Sequence, residues 1–260
     1  MSIWVIANTV GYSCAQLVAT DTSDAATSTQ ANVSTVRGGP RHLKWTSDHA
    51  TAARRIAYVD KTGNLAANFV CMVDAAAHVG KNVKIIEFTS YGGTEANIDS
   101  RTLDTADLAG YQSQDWVYKF SSTYSSKQAF AIEFGATDYQ KTARQIYVGE
   151  GLEFSDVPPN YEISLSRVSI REPLVEYKGQ RYKLWATASL SVTEVSKSLL
   201  QSYENLYKDD PLFFYDSSGT NTIGNAIEEK FWHAVVLSEQ ITPLENDVHQ
   251  IDWQLGLLRN

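Results

Sequence analysis

Residues 191–216 read SVTEVSKSLLQSYENLYKDDPLFFYD, and they hold the one long helical pattern in a chain otherwise built from short strands and turns. Ser191 and Glu194 stand at the S-x-x-E spacing of a capping box, in which each side chain satisfies a backbone N–H at a helix start. Leu190 and Val195 add the flanking apolar contact. Val195, Leu199, Tyr203 and Leu206 then recur at spacings of four and three, with Leu200 and Tyr207 widening the stripe. Pro211 ends the run, because it disfavours helical φ/ψ in the residue before it. The spacing predicts an amphipathic helix over about 191–208, docked on a sheet through Val195, Leu199, Tyr203 and Leu206, with a strand following from Pro211.

Strand patterns lie on both sides of it. In RYKLWATASL (181–190), Tyr182, Leu184, Ala186 and Ala188 alternate with Arg181, Lys183, Trp185 and Thr187. Near the C-terminus, EKFWHAVVLSEQI (229–241) reads as a strand. In DVHQIDWQLGLL (247–258), Ile251, Trp253 and Leu255 face one way and Gln250, Asp252 and Gln254 the other.

Upstream, HLKWTS, RRIAYVD, NFVCMVD, NVKIIEFTS, DWVYKFSS, QAFAIEFG and RQIYVG are short strand-like runs parted by turn signals such as Lys61, Thr62, Gly63 and Asn64. This rhythm predicts a β-sandwich of the jelly-roll or immunoglobulin-like kind. NVKIIEF is apolar on both faces, as an interior strand is. DAAAHVG (74–80) fits a short helical turn or a bulged crossover. A seam falls in VGEGLEFSDVPPNYE (148–162), where paired Gly and paired Pro break the rhythm. The expected layout is an N-terminal strand (IWVIA) and loose Ser/Thr-rich arm over 1–39, a sandwich over 40–150, and a β domain carrying the helix over 151–260. The fold class is mainly β.

At 260 residues the chain has room for two such domains. Its net charge of −8, with Lys and Arg dispersed, lacks the basic footprint of nucleic-acid binding. No apolar run approaches the ~20 residues of a membrane span. Cys14 and Cys71 form no CxxC pair, and Cys71 reads as a buried inert thiol. His42, His49, His78, His233 and His249 never fall at metal-ligand spacing, and no phosphate cradle or GxSxG is present. No metal, cofactor or catalytic residue is therefore expected, and the chain is read as a non-enzyme; a glycan depolymerase, which needs two nearby carboxylates, is a rival. Sugar binding is the other candidate chemistry. Trp45, Asp99, Arg101 and Trp116 stand in mixtures of aromatic, carboxylate and guanidinium suited to a pyranose, although core packing is the plainer role for both tryptophans.

The order of parts, with KWTS early, then ARQIYVGEGLEF, PPNYEISLSRVSI, a hairpin, a capped helix, PLFFYD and a closing strand pair, resembles the distal or minor tail proteins of siphophage-type tail tips. The resemblance spans about residue 40 to the end. It implies a galactose-binding-like sandwich joined to a ring-forming β domain, in a homo-oligomer (trimer or hexamer) that meets other tail-tip proteins and host-surface glycans. It also implies a place in the virion tail, with assembly in the host cytoplasm. A free-standing carbohydrate-binding module is the alternative.

Overall fold

The computed structural model describes residues 2–20, 44–47, 51–109, 114–137, 139–155, 166–167, 174–177, 180–205, 212–216 and 231–258. Strands are numbered β1 to β19 in chain order. Two units emerge from the packing: a sandwich unit of Asn8–Ala109 with Ser113–Glu150, and a second unit of Met1–Ala7 with Gly151–Asn260. The break after Glu150 lies inside the expected seam. The N-terminal strand, however, belongs to the second unit, while residues 8–20 belong to the sandwich.

The sandwich opens with helix α1 (Thr9–Ser13), capped by Asn8, whose side chain accepts from Gly11 N–H. One sheet orders its strands as β2 (Gln16–Thr20), β4 (Arg54–Val59), β10 (Ala129–Phe134), β6 (Asn82–Phe88) and β7 (Glu95–Thr102). The other runs β12 (Gln145–Gly149), β5 (Leu65–Val73), β9 (Asp115–Lys127) and β8 (Leu108–Ala109). The two-residue strands β3 (Trp45–Thr46) and β11 (Thr142–Ala143) pair with each other. Period-two alternation sends Ile56, Tyr58, Ile85, Phe130 and Ile132 inward from the first sheet, against Val70, Met72, Trp116, Ile146 and Val148 of the second. Tyr58 donates its hydroxyl across this core to the Ile146 carbonyl at 2.6 Å, tying the sheets together. NVKIIEF is interior, as its two apolar faces require. Its outward Ile86 and Phe88 join Ala57, Val59, Ala129 and Ala131 in a separate buried cluster.

DAAAHVG becomes a 3-10 turn, Ala75–His78, and Gly80 takes the positive φ of 74° that turns the chain into β6. His78 is fully buried and stacks on Phe134. Its Nε2 lies 2.7 Å from the Thr142 carbonyl, which can accept only, so Nε2 carries the hydrogen and Nδ1 accepts from the Tyr139 hydroxyl at 3.0 Å. Burial lowers its pKa from 6.5 to about 4. The unfolded chain takes up this proton first, so His78's contribution to stability is complete above pH about 6.5 and is lost as pH falls toward 4, on the order of 3 kcal/mol. Urea unfolding near neutral pH and near the lower limit should show His78→Gln losing less stability over that interval than the parent. Equal losses would remove His78 as the cause.

In the second unit, β1 (Ile3–Ile6) lies between β13 (Gly151–Phe154) and β17 (Leu212–Asp216). The sheet continues through β18 (Phe231–Pro243), β19 (Val248–Leu258) and β16 (Gln180–Ser196) to β14 (Ser166–Arg167), while β15 (Leu174–Tyr177) also pairs with β16. The alternation around Trp253 is realised: Ile251, Trp253, Leu255 and Leu257 of β19 pack with Ala186, Ala188, Leu190 and Val192 of β16.

The helix differs from its expected span. Helix α2 covers Lys197–Glu204, and its N-cap is Ser196, whose hydroxyl accepts from Leu199 N–H at 3.2 Å. Residues 191–196 extend β16 instead. The period-two burial of Leu184, Ala186, Ala188, Leu190 and Val192 runs straight through the proposed capping box, so sheet pairing wins over local helix signals. At Glu194 the backbone turns to φ 59°, and the register slips between Val192 and Val195, a bulge that releases the chain into the helix. Val195 is therefore a buried strand residue. Leu199 is half-buried, and the residues the helix buries are Leu200 and Tyr203. Leu206 lies outside the described residues.

Candidate functional site

Trp45 and Trp116 present no face to a ligand. Both are buried, 0% and 1% exposed, within the sandwich core, with Trp45 stacked on Phe134. The glycan-stacking role considered for them is corrected accordingly: each is too large an apolar surface for the sandwich to leave in water.

Asp99 and Arg101 do meet. They sit on β7, the edge strand, opposite Ile85 and Val83 of β6, so they point toward the inter-sheet side where the core thins into solvent. Arg101 donates through Nε to Asp99 Oδ2 and through Nη1 to Asp107 Oδ1 at 3.1 Å. Asp107 is itself oriented: in a capping box over the 3-10 turn Thr105–Asp107, its Oδ2 accepts from Asp104 N–H at 2.8 Å. The guanidinium lies 4.5 Å from the Tyr118 ring centroid. The Asp99 hydrogen bond and the two carboxylate charges raise the Arg101 pKa further, and burial, followed by the Asp99 charge, raises that of Tyr118. The side chains of Arg101, Asp99 and Asp107 are 32%, 18% and 25% exposed, so the cluster is braced yet reachable. Inward charges on an edge strand also discourage strand-to-strand aggregation.

Strand β9 supplies the opposite wall. Among the described residues, β8 pairs only with Trp116 and Asp115, so beyond Trp116 β9 is bonded to β5 alone. Between Lys119, opposite Phe69, and Tyr124, opposite Ala67, β9 advances by more residues than β5 and arches away. The arch carries exposed Ser121, Ser122, Thr123, Ser125 and Ser126. Along it, rings follow one another: Trp116 to Tyr118 at 6.2 Å, Tyr118 to Phe120 at 5.9 Å, and Phe120 to Tyr124 at 5.7 Å. Trp116 and Phe120 are buried, whereas Tyr118 and Tyr124 are half-buried and reach the surface. Lys127 approaches the Tyr124 ring at 5.9 Å and is paired with Glu87 at 2.8 Å.

The flank thus combines two tyrosine rims, a fixed guanidinium, two carboxylates and a row of hydroxyls. Tyrosine with serine gives contact area and adaptable hydrogen bonding at low entropic cost. The sequence names Asp99 and Arg101 as candidates, and the structure sets Asp107 and Tyr118 against Arg101, with Tyr124 farther along β9, none of the three singled out by the sequence. The signal for the tyrosines was the alternation of Trp116, Tyr118 and Phe120 leading into SSTYSS; which of these rings reaches water depends on where β8 stops.

No protein-family model matches the chain, and no curated protein is similar to it. Solved structures similar to it include a chitosan-binding module of a chitosanase/glucanase from Paenibacillus sp. IK-5, at 12% identity and TM-score 0.39, covering 51% of this chain and 92% of that one. A pectin-binding carbohydrate-binding module matches at 11% identity and TM-score 0.36, covering 52% and 89%. A family 32 carbohydrate-binding module from Clostridium perfringens, in complex with galactose, matches at 11% identity and TM-score 0.36, covering 56% and 98%. None of the three is a tail protein. Likenesses this remote do not say what this chain binds, and the sandwich rests on its own sheet order and core.

Proposed function

We propose that the sandwich unit is a glycan-binding module, with its contact site on the β7–β9 flank. The observation that carries this is the Arg101 guanidinium, clamped between Asp99 and Asp107 over the Tyr118 ring, beside a hydroxyl-rich arch that presents Tyr124. A pyranose would lean its apolar face on the tyrosine rims and exchange hydroxyl hydrogen bonds with the carboxylates and guanidinium. Both carboxylates are engaged by Arg101, which suits holding a sugar rather than cleaving it; release of no new reducing ends from a retained glycan is the expected mark. Removing a charge-assisted hydrogen-bond donor costs about 1.5–3 kcal/mol, so Arg101→Ala should weaken glycan retention by the full chain roughly tenfold or more. Unchanged retention, with folding intact by circular dichroism, would dismiss this site.

A second reading, the tail-tip protein that the order of parts suggests, has one observation in its favour. Leu237, at the bulge midway along β18, and Leu244, at the turn into β19, are 43% and 41% exposed, apolar surface that neighbouring copies in a ring would cover. In that reading the chain is a virion protein that presents its glycan site to a host surface. A discrete trimer or hexamer in light scattering is its expected signature, and a strict monomer at high concentration counts against it.

A further inference from the structure

We infer that the β7–β9 flank selects uncharged sugars and rejects glycans bearing carboxylate or sulfate groups, an inference that rests on the glycan-binding reading of this site. The ground is the balance of fixed charge. Two carboxylates, Asp99 and Asp107, share a single guanidinium. Lys127, farther along β9, is already bound to Glu87 and brings no surplus positive charge. The chain as a whole carries −8, so no long-range field offsets the local one.

The free hydrogen-bonding capacity points the same way. Asp107 has both oxygens engaged, Oδ1 by Arg101 and Oδ2 by the Asp104 N–H. Asp99 meets Arg101 through Oδ2, which leaves Oδ1 as an acceptor for a ligand hydroxyl. A neutral sugar supplies that donor; an anionic group supplies none and sets like charges side by side. The tyrosine hydroxyls and the serine row, which donate or accept, fit a ring of hydroxyls equally well. Asp99 Oδ1 thus adds a free acceptor beside a local excess of negative charge, a setting that takes a hydroxyl donor and opposes an anion.

The test is to measure retention of the full chain on immobilised neutral oligosaccharides and on matched oligosaccharides carrying a uronate or a sulfate ester, at about 50 and about 500 mM salt. The expected result is neutral glycans held at least about tenfold more tightly, with the gap narrowing at high salt and in Asp99→Asn. The salt series needs no variant and so reads out charge even if Asp99→Asn folds poorly. Acidic glycans bound as tightly as neutral ones would overturn charge selection while leaving the glycan reading in place. Retention of no glycan at all would overturn both.

Discussion

Tyr203→Ala is expected to unfold the C-terminal unit at markedly lower urea than the parent chain. The Tyr203 ring meets Trp253 at 5.6 Å and Phe154 at 6.0 Å, both edge to face, and Phe214 closes on Trp253 from another side at 5.7 Å. Its hydroxyl accepts from Trp253 Nε1 and donates to Glu239 Oε2, each at 2.7 Å. Truncation opens a cavity where an aromatic stood, about 3–5 kcal/mol, and strands a buried indole N–H, about 1–3 kcal/mol more. Tyr203→Phe keeps the ring and should lose only the smaller part. Tryptophan fluorescence across a urea series measures both. A Tyr203→Ala chain as stable as Tyr203→Phe would mean that the aromatic cluster does not anchor α2 to its sheet.

The second large effect lies on the outward face of the five-stranded sheet. Glu133 of β10 stands directly opposite Arg55 of β4 on one side and Lys84 of β6 on the other, and it bonds both, at 2.8 and 2.6 Å. Arg55 also reaches Glu95 at 3.0 Å and lies over Phe88 at 5.3 Å. The side chains of Arg55 and Glu133 are only 2% and 5% exposed, so this is a buried pair rather than a solvated one. Breaking it from one side with Arg55→Ala should cost about 3–5 kcal/mol, because Glu133 loses its buried partner while Lys84, about a third exposed, compensates in part. Replacing both partners together, Arg55→Met with Glu133→Leu, should recover most of that loss, since apolar residues of similar size avoid the desolvation cost. Additive losses in the double variant would show that the pair contributes no specific coupling.

The strand framework was legible wherever one face was buried and the other wet. Ile251, Trp253 and Leu255, and the run from Leu184 to Ala188, announced their strands by alternation. The onset of α2 was not legible, because Ser191 and Glu194 mimic a cap while the burial of Leu190 and Val192 is decided by pairing with β19, a partner distant in sequence. Strand β7 was hidden for a related reason. EANIDSRT has little apolar character, and it is a strand because β6 offers it a ladder. The candidate site was half visible. Asp99 and Arg101 share a short segment, but their union with Asp107 and Tyr118 depends on a turn cap and on the arch of β9, neither of which leaves a periodic trace. The tryptophans misled in the usual direction: a residue able to stack on a sugar is equally able to fill a core.

The most direct test of the account follows ring resonances of the full chain, with its tyrosines isotopically labelled, as a retained neutral oligosaccharide is added. Tyr118 and Tyr124, half-buried on the β7–β9 flank, should shift and saturate together, while Tyr58 and Tyr147, closed inside the sandwich unit, should stay in place. Saturable shifts that spare Tyr118 and Tyr124 and appear on other tyrosines would contradict the assignment of the flank as the sugar site.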